Sequence, residues 1–171
     1  AFTPGVEVPP GQYAVVCHAD DVPDPLWLRT SLLAFQRVPG NVACRQAQLT
    51  YHNVRQNLLT RWFTVEYDAW FTNNLAGLSG LGIPLPLGCT SNHLRTDVLL
   101  DCHGWDAFNV TEDADLGMRL ERLGYRSMVL DSVTWEEANS DPINWVKQRS
   151  RRNTGHLQTG LIHMRHPGDL K

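Results

Sequence analysis

A chain of 171 residues with 42% hydrophobic and 19% charged side chains has the length and apolar content of one globular domain with a sizeable core. Composition of this kind excludes a disordered or collagen-like polypeptide. The net charge of −3 is unevenly spread: residues 147–171 carry six Lys/Arg against the single acid Asp169, or +5, which leaves −8 on the rest. A basic end on an acidic body suits an anionic partner, either ligand phosphates or lipid head groups, with a solvated helix face as the plain alternative. The four cysteines, Cys17, Cys44, Cys89 and Cys102, form no C-x-x-C pair and no secreted-domain framework. They are expected to be reduced and mostly packed, in a cytosolic setting. No signal peptide is visible, and no apolar run approaches the ~20 residues of a spanning helix.

Residues 1–12 are rich in Pro and Gly and read as a lead-in loop. The apolar run Tyr13–Cys17 predicts a strand buried on both faces, with His18, Asp20 and Asp21 at its carboxyl end. Asp24-Pro25 predicts a helix start, followed by a Leu28/Leu32/Phe35 stripe. Residues 41–51 alternate loosely and predict a strand. Residues 54–75 predict a long aromatic helix, and 77–88 a Gly/Pro/Leu loop. A short helix is expected over 98–100, and a turn at Gly104-Trp105-Asp106. Thr111 is a natural N-cap, Leu116, Leu120 and Leu123 form a buried stripe, and Gly124 ends that helix. Residues 126–130 predict a strand, and the chain from Asp141 onward a helix with Leu157, Leu161 and Met164 in register. Strands alternating with helices, with polar clusters at strand ends, predict an open α/β sheet that binds its ligand beyond the carboxyl ends of the strands.

Three polar clusters carry the chemistry. Asp20 and Asp21 on a tight loop after a strand can bridge a hard divalent cation to a diphosphate, or merely cap the turn before Pro23. His18 is a softer ligand, suited to manganese or zinc. Glu112, Asp113 and Asp115 open a helix, where the macrodipole alone favours acids by ~0.3–1 kcal/mol each. Three acids so close also repel one another, which can raise one pKa into the range of a general base. Gln148, Arg151 and Arg152 place a fork of donors on one helical turn, suited to a diphosphate or to a solvated face. Thr90, Ser91, Asn92 and His93 can line a pocket for a hydroxylated substrate, or form a polar turn. Trp105 and Trp135 can stack on a sugar or pack in the core. Glu136-Glu137 read as either a supporting group or an exposed turn.

In this order the motifs resemble the central and C-terminal part of the catalytic domain of processive, membrane-integrated family-2 glycosyltransferases of the cellulose-synthase-like type. The likeness is strongest to bacterial transferases that share a Gly-x-Thr-Ser-Asn-His-x-Arg-Thr segment, here Gly88 to Thr96 with Cys89 in the variable place. It extends over Gly104-Trp105-Asp106, Thr111 to Leu120, Leu130 to Glu137 and the Gln148 cluster, roughly residues 12–167. The resemblance implies a GT-A-like (Rossmann-like) mixed α/β sheet flanked by helices, with its N-terminal nucleotide-binding part missing. It further implies a partial transferase core over residues 1–140 and a donor-site helix after it; within 141–171 the Leu157/Leu161/Met164 stripe, flanked by Arg165, His163 and His166, reads as an amphipathic membrane-interface helix.

The same resemblance implies an inverting transfer from a nucleotide-sugar, a UDP-sugar first, to a polysaccharide or glycan acceptor. Asp113, beside Glu112, would be the general base. Asp20, His18 and Asp21 would hold a divalent metal, magnesium or manganese, on the donor diphosphate. Gln148, Arg151 and Arg152 would meet that diphosphate, and Thr90, Ser91, Asn92, His93 and Trp105 the acceptor. Further implied are membrane lipids as partners, no nucleic acid, and a place at the cytoplasmic face of the plasma membrane. Two positions depart from the family pattern: His18 stands where Asp is preferred and Arg152 where Trp is preferred. The rival readings are a non-catalytic saccharide- or nucleotide-binding module with a degenerate metal site, and a metal-dependent hydrolase or nucleotidyltransferase. The second leaves Gly88 to Thr96 and the Gln148 cluster unexplained.

Overall fold

The structure, a computed structural model, describes residues 11–165. Most of the Pro/Gly lead-in and His166 lie outside them. The strands are β1 (Tyr13–Val16), β2 (Val22–Pro23), β3 (Val42–Tyr51), β4 (Asn92–Arg95) and β5 (Arg126–Glu136). The helices are α1 (Trp27–Gln36), α2 (Leu58–Asp68), α3 (Leu75–Leu81), α4 (Thr96–Asp101), α5 (Glu112–Arg122) and α6 (Pro142–His163). A π-helical stretch, Ala69–Asn74, joins α2 to α3.

The five strands form one mixed sheet in the order β1-β4-β3-β5-β2. β3 and β5 run parallel, and the remaining pairings are antiparallel. β3, at the centre of the sheet, is buried on both faces: Val42, Ala43, Cys44, Ala47, Leu49 and Tyr51 are all buried. β1 differs from expectation. It pairs only with β4, at the edge of the sheet among the described residues, and Val15 is exposed.

The helices keep their predicted places but not always their predicted faces. α1 begins at Trp27 because Asp24 Oδ1 accepts the Leu26 N–H at 2.8 Å, closing a turn ahead of the helix. Its buried residues are Ser31 and Phe35, while Leu28 and Leu32 are exposed. α2 is capped by a reciprocal Asn57/Thr60 pair, so residues 54–57 are a turn. Helical structure then persists to Leu81, and the expected loop at 77 begins only at Gly82 (φ +70°). α5 buries Leu116 and Leu120, but Leu123 is its exposed C-cap, and Gly124 (φ +86°) turns the chain into β5. β5 continues six residues past the predicted strand, to Glu136. The core joins Leu49, Tyr51, Phe63, Tyr67, Phe71, Leu75, Leu94, Val98, Leu116 and Leu120.

Candidate functional site

β1, β3 and β5 point the same way, so their carboxyl ends meet at one edge of the sheet. Tyr51 of β3 is in register with Glu136 of β5, and Val16 of β1 with Asn92 at the start of β4. The loops 17–21 and 88–91 and the end of β5 therefore converge, although they are far apart in sequence.

His18, Asp20, Asp21 and Glu136 each present one ligand atom, and these atoms lie within 4.8 Å of one another. His18 Nδ1 is 3.4 Å from Glu136 Oε1. Asp21 Oδ2 is fully engaged, accepting from the His18 backbone N–H at 2.7 Å, the Cys17 thiol and the Thr90 hydroxyl. Asp21 Oδ1 is buried and has no hydrogen-bond partner. Burial raises the pKa of Glu136, and the neighbouring charge of Asp21 adds to the rise, while His18 opposes it. Crowded carboxylates, an orphaned carboxylate oxygen and one imidazole fit a divalent cation such as manganese. Glu136 is the member of this cluster that sequence reasoning did not assign as a candidate ligand.

The Gly88 to Thr96 segment is built into the wall beside this cluster. Gln46 of β3 holds the turn: its amide donates to Thr90 O and its Oε1 accepts the Gly88 N–H at 2.7 Å. Ser91 takes a left-handed conformation (φ +57°), a costly choice for a non-glycine residue, and its hydroxyl donates to Thr134 at 2.6 Å. Thr90, Ser91, Asn92 and His93 are each at most 1% exposed. His93 packs edge-on against Trp27, 5.0 Å between ring centroids, and burial lowers its pKa. The run expected to face the acceptor is thus internal here, and of the four Thr90 alone bonds to the His18/Asp21 loop.

Asp113 sits in the first turn of α5 and is 8% exposed. Its Oδ1 accepts the indole N–H of Trp105 at 2.7 Å. Burial pushes its pKa up to about 6; Trp105 opposes the shift, Glu112 adds to it, and the charge of His18 opposes it. Trp105 is itself 9% exposed, so it supports Asp113 instead of offering an open stacking face. Glu112 is partly exposed. Asp115 is occupied: Oδ2 accepts from Arg119 Nε at 2.7 Å and Oδ1 lies 2.8 Å from His163 Nε2. The three acids that the sequence could not rank are separated by their partners.

Of the donor cluster on α6, Arg152 is brought inward. It donates to Tyr67 Oη at 2.6 Å and lies over that ring, 5.3 Å from its centroid. Gln148 and Arg151 are exposed. Arg149 is paired with Glu66 and stacks on Phe63 and Trp145. Burial raises the pKa of Cys89, the variable residue of its motif; the charges of Glu136 and Asp113 add to the rise and that of Arg152 opposes it. Leu157, Leu161 and Met164 form an exposed stripe, but His163, expected beside it, points inward to Asp115. Among the described residues no helix is long and apolar enough to cross a membrane.

A family model described as glycosyl transferase family group 2 matches residues 13–166. The chain belongs to this family. Its curled five-stranded mixed sheet with flanking helices is the GT-A-like fold that the motifs imply. Two plant proteins are similar to this family 2 domain. Glucomannan 4-beta-mannosyltransferase 2 of Arabidopsis thaliana is 28% identical over 122 residues, which covers 71% of this chain and 23% of the relative. Glucomannan 4-beta-mannosyltransferase 1 of Oryza sativa subsp. japonica is 26% identical over 122 residues, with the same two shares. The chain therefore spans about a quarter of the length of these relatives. The family match supports glycosyl transfer.

Proposed function

We propose that this domain transfers a hexosyl group from a nucleotide-sugar donor, UDP-linked in the first instance, to a glycan acceptor with inversion at the anomeric carbon. The observation that carries this reading is Asp113: a buried carboxyl fixed by the Trp105 indole, its pKa pushed up to about 6 by burial, with the charge of His18, a member of the His18/Asp20/Asp21/Glu136 cluster, acting on it. Asp113 takes the proton from an acceptor hydroxyl. The freed oxygen attacks the anomeric carbon from the side away from the diphosphate, and the bond to the diphosphate breaks with its electron pair. His18, Asp20, Asp21 and Glu136 would hold a divalent cation, which supplies positive charge for the diphosphate when bound. Gln148, Arg151 and Arg152 contribute further positive charge and donors on the leaving-group side.

Residues 1–140 serve as the transferase core in this reading, and 141–171 as the donor helix and its interfacial continuation. The exposed Leu157/Leu161/Met164 stripe with Arg165 suits an anionic bilayer surface. Binding to anionic vesicles that is lost on replacing all three apolar residues by Ser tests that contact.

Calorimetric titration of UDP, with and without manganese, against the wild type and Asp20→Ala tests the main reading. Manganese-dependent binding that disappears in the variant supports it. UDP binding indifferent to both manganese and Asp20 favours a nucleotide-binding module with a degenerate metal site.

A further inference from the structure

We propose that His163, Asp115 and Arg119 are positioning residues for Asp113, holding the 102–105 turn so that the Trp105 indole stays aimed at its carboxylate. The reading rests on Asp113 as the base, and it names residues to which that role gives no part. Four contacts form the linkage. Arg119 donates to the backbone carbonyls of Cys102 at 2.7 Å and Gly104 at 2.8 Å, so its guanidinium clamps the turn that carries Trp105. The same guanidinium is fixed through Nε to Asp115. Asp115 is fixed in turn by His163 from α6, and both side chains are at most 5% exposed.

The turn needs such a clamp. Gly104 (φ +67°) takes the left-handed conformation freely, but His103 (φ +61°) takes it at a cost, so the backbone alone does not favour the shape that presents Trp105. Arg119 suits the task because its planar fork reaches two carbonyls and a carboxylate at once. Arg122 lies 3.4 Å from His163 Nδ1, which fits a neutral ring with its proton on Nε2, donated to Asp115.

The rest of α6 reinforces the link. Its buried residues are Gly155, Thr159 and His163, on one face. Gly155 packs on Thr111, and Thr159 meets Asn109 and Thr111 just ahead of Glu112 and Asp113. The helix that carries Arg152 near its middle thus braces the base with its C-terminal half.

The test reads Asp113 directly, without donor or acceptor: the carbon-13 shift of its carboxyl is followed against pH in aspartate-labelled protein. Other charges facing Asp113 are Glu112 beside it, His18 from the end of β1, Cys44 of β3 and Cys89. These are left unchanged. Trp105→Phe removes a donor to the ionised form and is expected to raise the Asp113 midpoint by about one pH unit. His163→Ala is expected to move it the same way, with no further shift when the two are combined. His163→Gln, which keeps a donor near the Nε2 position, restores the wild-type midpoint. An unmoved midpoint in folded His163→Ala, or additive shifts in the double variant, overturns the proposal. Should His163→Ala not fold, Arg119→Lys carries the same expectation and the same overturning result, because lysine cannot span both carbonyls. A linked shift without UDP binding leaves the positioning intact and removes the transferase reading, so the two failures are distinguishable.

Discussion

Asp113 Oδ1 accepts the Trp105 indole N–H at 2.7 Å, while Asp115, two residues on, is held between Arg119 and His163. One first-turn carboxyl is buried and accepts from the neutral Trp105 indole, and the other is held by the Arg119 guanidinium and the His163 ring. The difference in role follows from the partners and not from the helix dipole, which both acids share.

This sets the pH dependence of stability. The Asp113 pKa is raised from 3.8 to about 6 in the fold. Its contribution is fully present below pH 4, where both folded and unfolded chains are protonated, and is lost as pH rises through 6. Asp113→Asn keeps an acceptor for Trp105 without the charge. It is expected to be more stable than the wild type at pH 8 by at most about 3 kcal/mol, and the gain should vanish at pH 4. Urea denaturation at the two pH values measures both. A stability difference independent of pH would show that Asp113 is not held in an unfavourable ionised state. Sugar transfer is expected to be lost in the same variant.

The mixed ligand set makes a second prediction. Manganese tolerates an imidazole nitrogen better than magnesium does. His18→Asp is therefore expected to shift preference toward magnesium, and Glu136→Gln to weaken manganese binding by about tenfold or more. Titration calorimetry with each chloride salt resolves both. Unchanged manganese affinity in Glu136→Gln would remove the strand end from the metal site.

Arg152 donates to Tyr67 Oη and lies over its ring. Tyr67→Phe keeps the ring but deletes the hydroxyl, freeing the guanidinium from its anchor at little cost in packing. UDP binding is expected to weaken several-fold, whereas Arg152→Ala should weaken it by tenfold or more through loss of the charge itself. Equal affinity in all three proteins would place the diphosphate away from Arg152.

Much of the fold was readable from the sequence because single residues mark its boundaries. The loose alternation over residues 41–51 announces β3, though not its central place, and Thr111 and Gly124 bracket α5 within a residue or so. The faces were less readable. Leu28, Leu32 and Leu123 keep helical spacing, yet they are exposed, because periodicity tells which residues share a face and not which face meets the sheet. Gly77, Gly80 and Gly82 all resemble helix ends, and only the last takes the left-handed turn. In the site, chain order was enough to pick out His18, Asp20 and Asp113. Glu136 escaped because its approach to His18 spans 118 residues and arises from the order of strands in the sheet. The pairing of Asp115 with His163 escaped for the same reason, since the two are 48 residues apart.

Two glycines of α6 give a paired test of how tightly that helix is seated on α5. A Cβ at Gly155 would lie 2.5 Å from Thr111 Cγ2 and 3.0 Å from the Thr111 backbone nitrogen, whereas one at Gly160 would meet nothing within 4 Å. Alanine gains up to about 1 kcal/mol over glycine in a helix interior from propensity alone. At Gly160 that gain stands unopposed, so Gly160→Ala should stabilise the domain. At Gly155 the contact with Thr111 outweighs it: the methyl group is close to the backbone and has no rotamer to escape into. Overpacking of this kind costs about 1–3 kcal/mol, so Gly155→Ala should be net destabilising. Because Thr111 begins the turn that holds Asp113, it should also disturb the carbon-13 signal of that carboxyl, which Gly160→Ala leaves in place. Thermal unfolding of the two variants decides the first point, and two stabilised proteins would show that α6 rests on α5 more loosely than the structure has it.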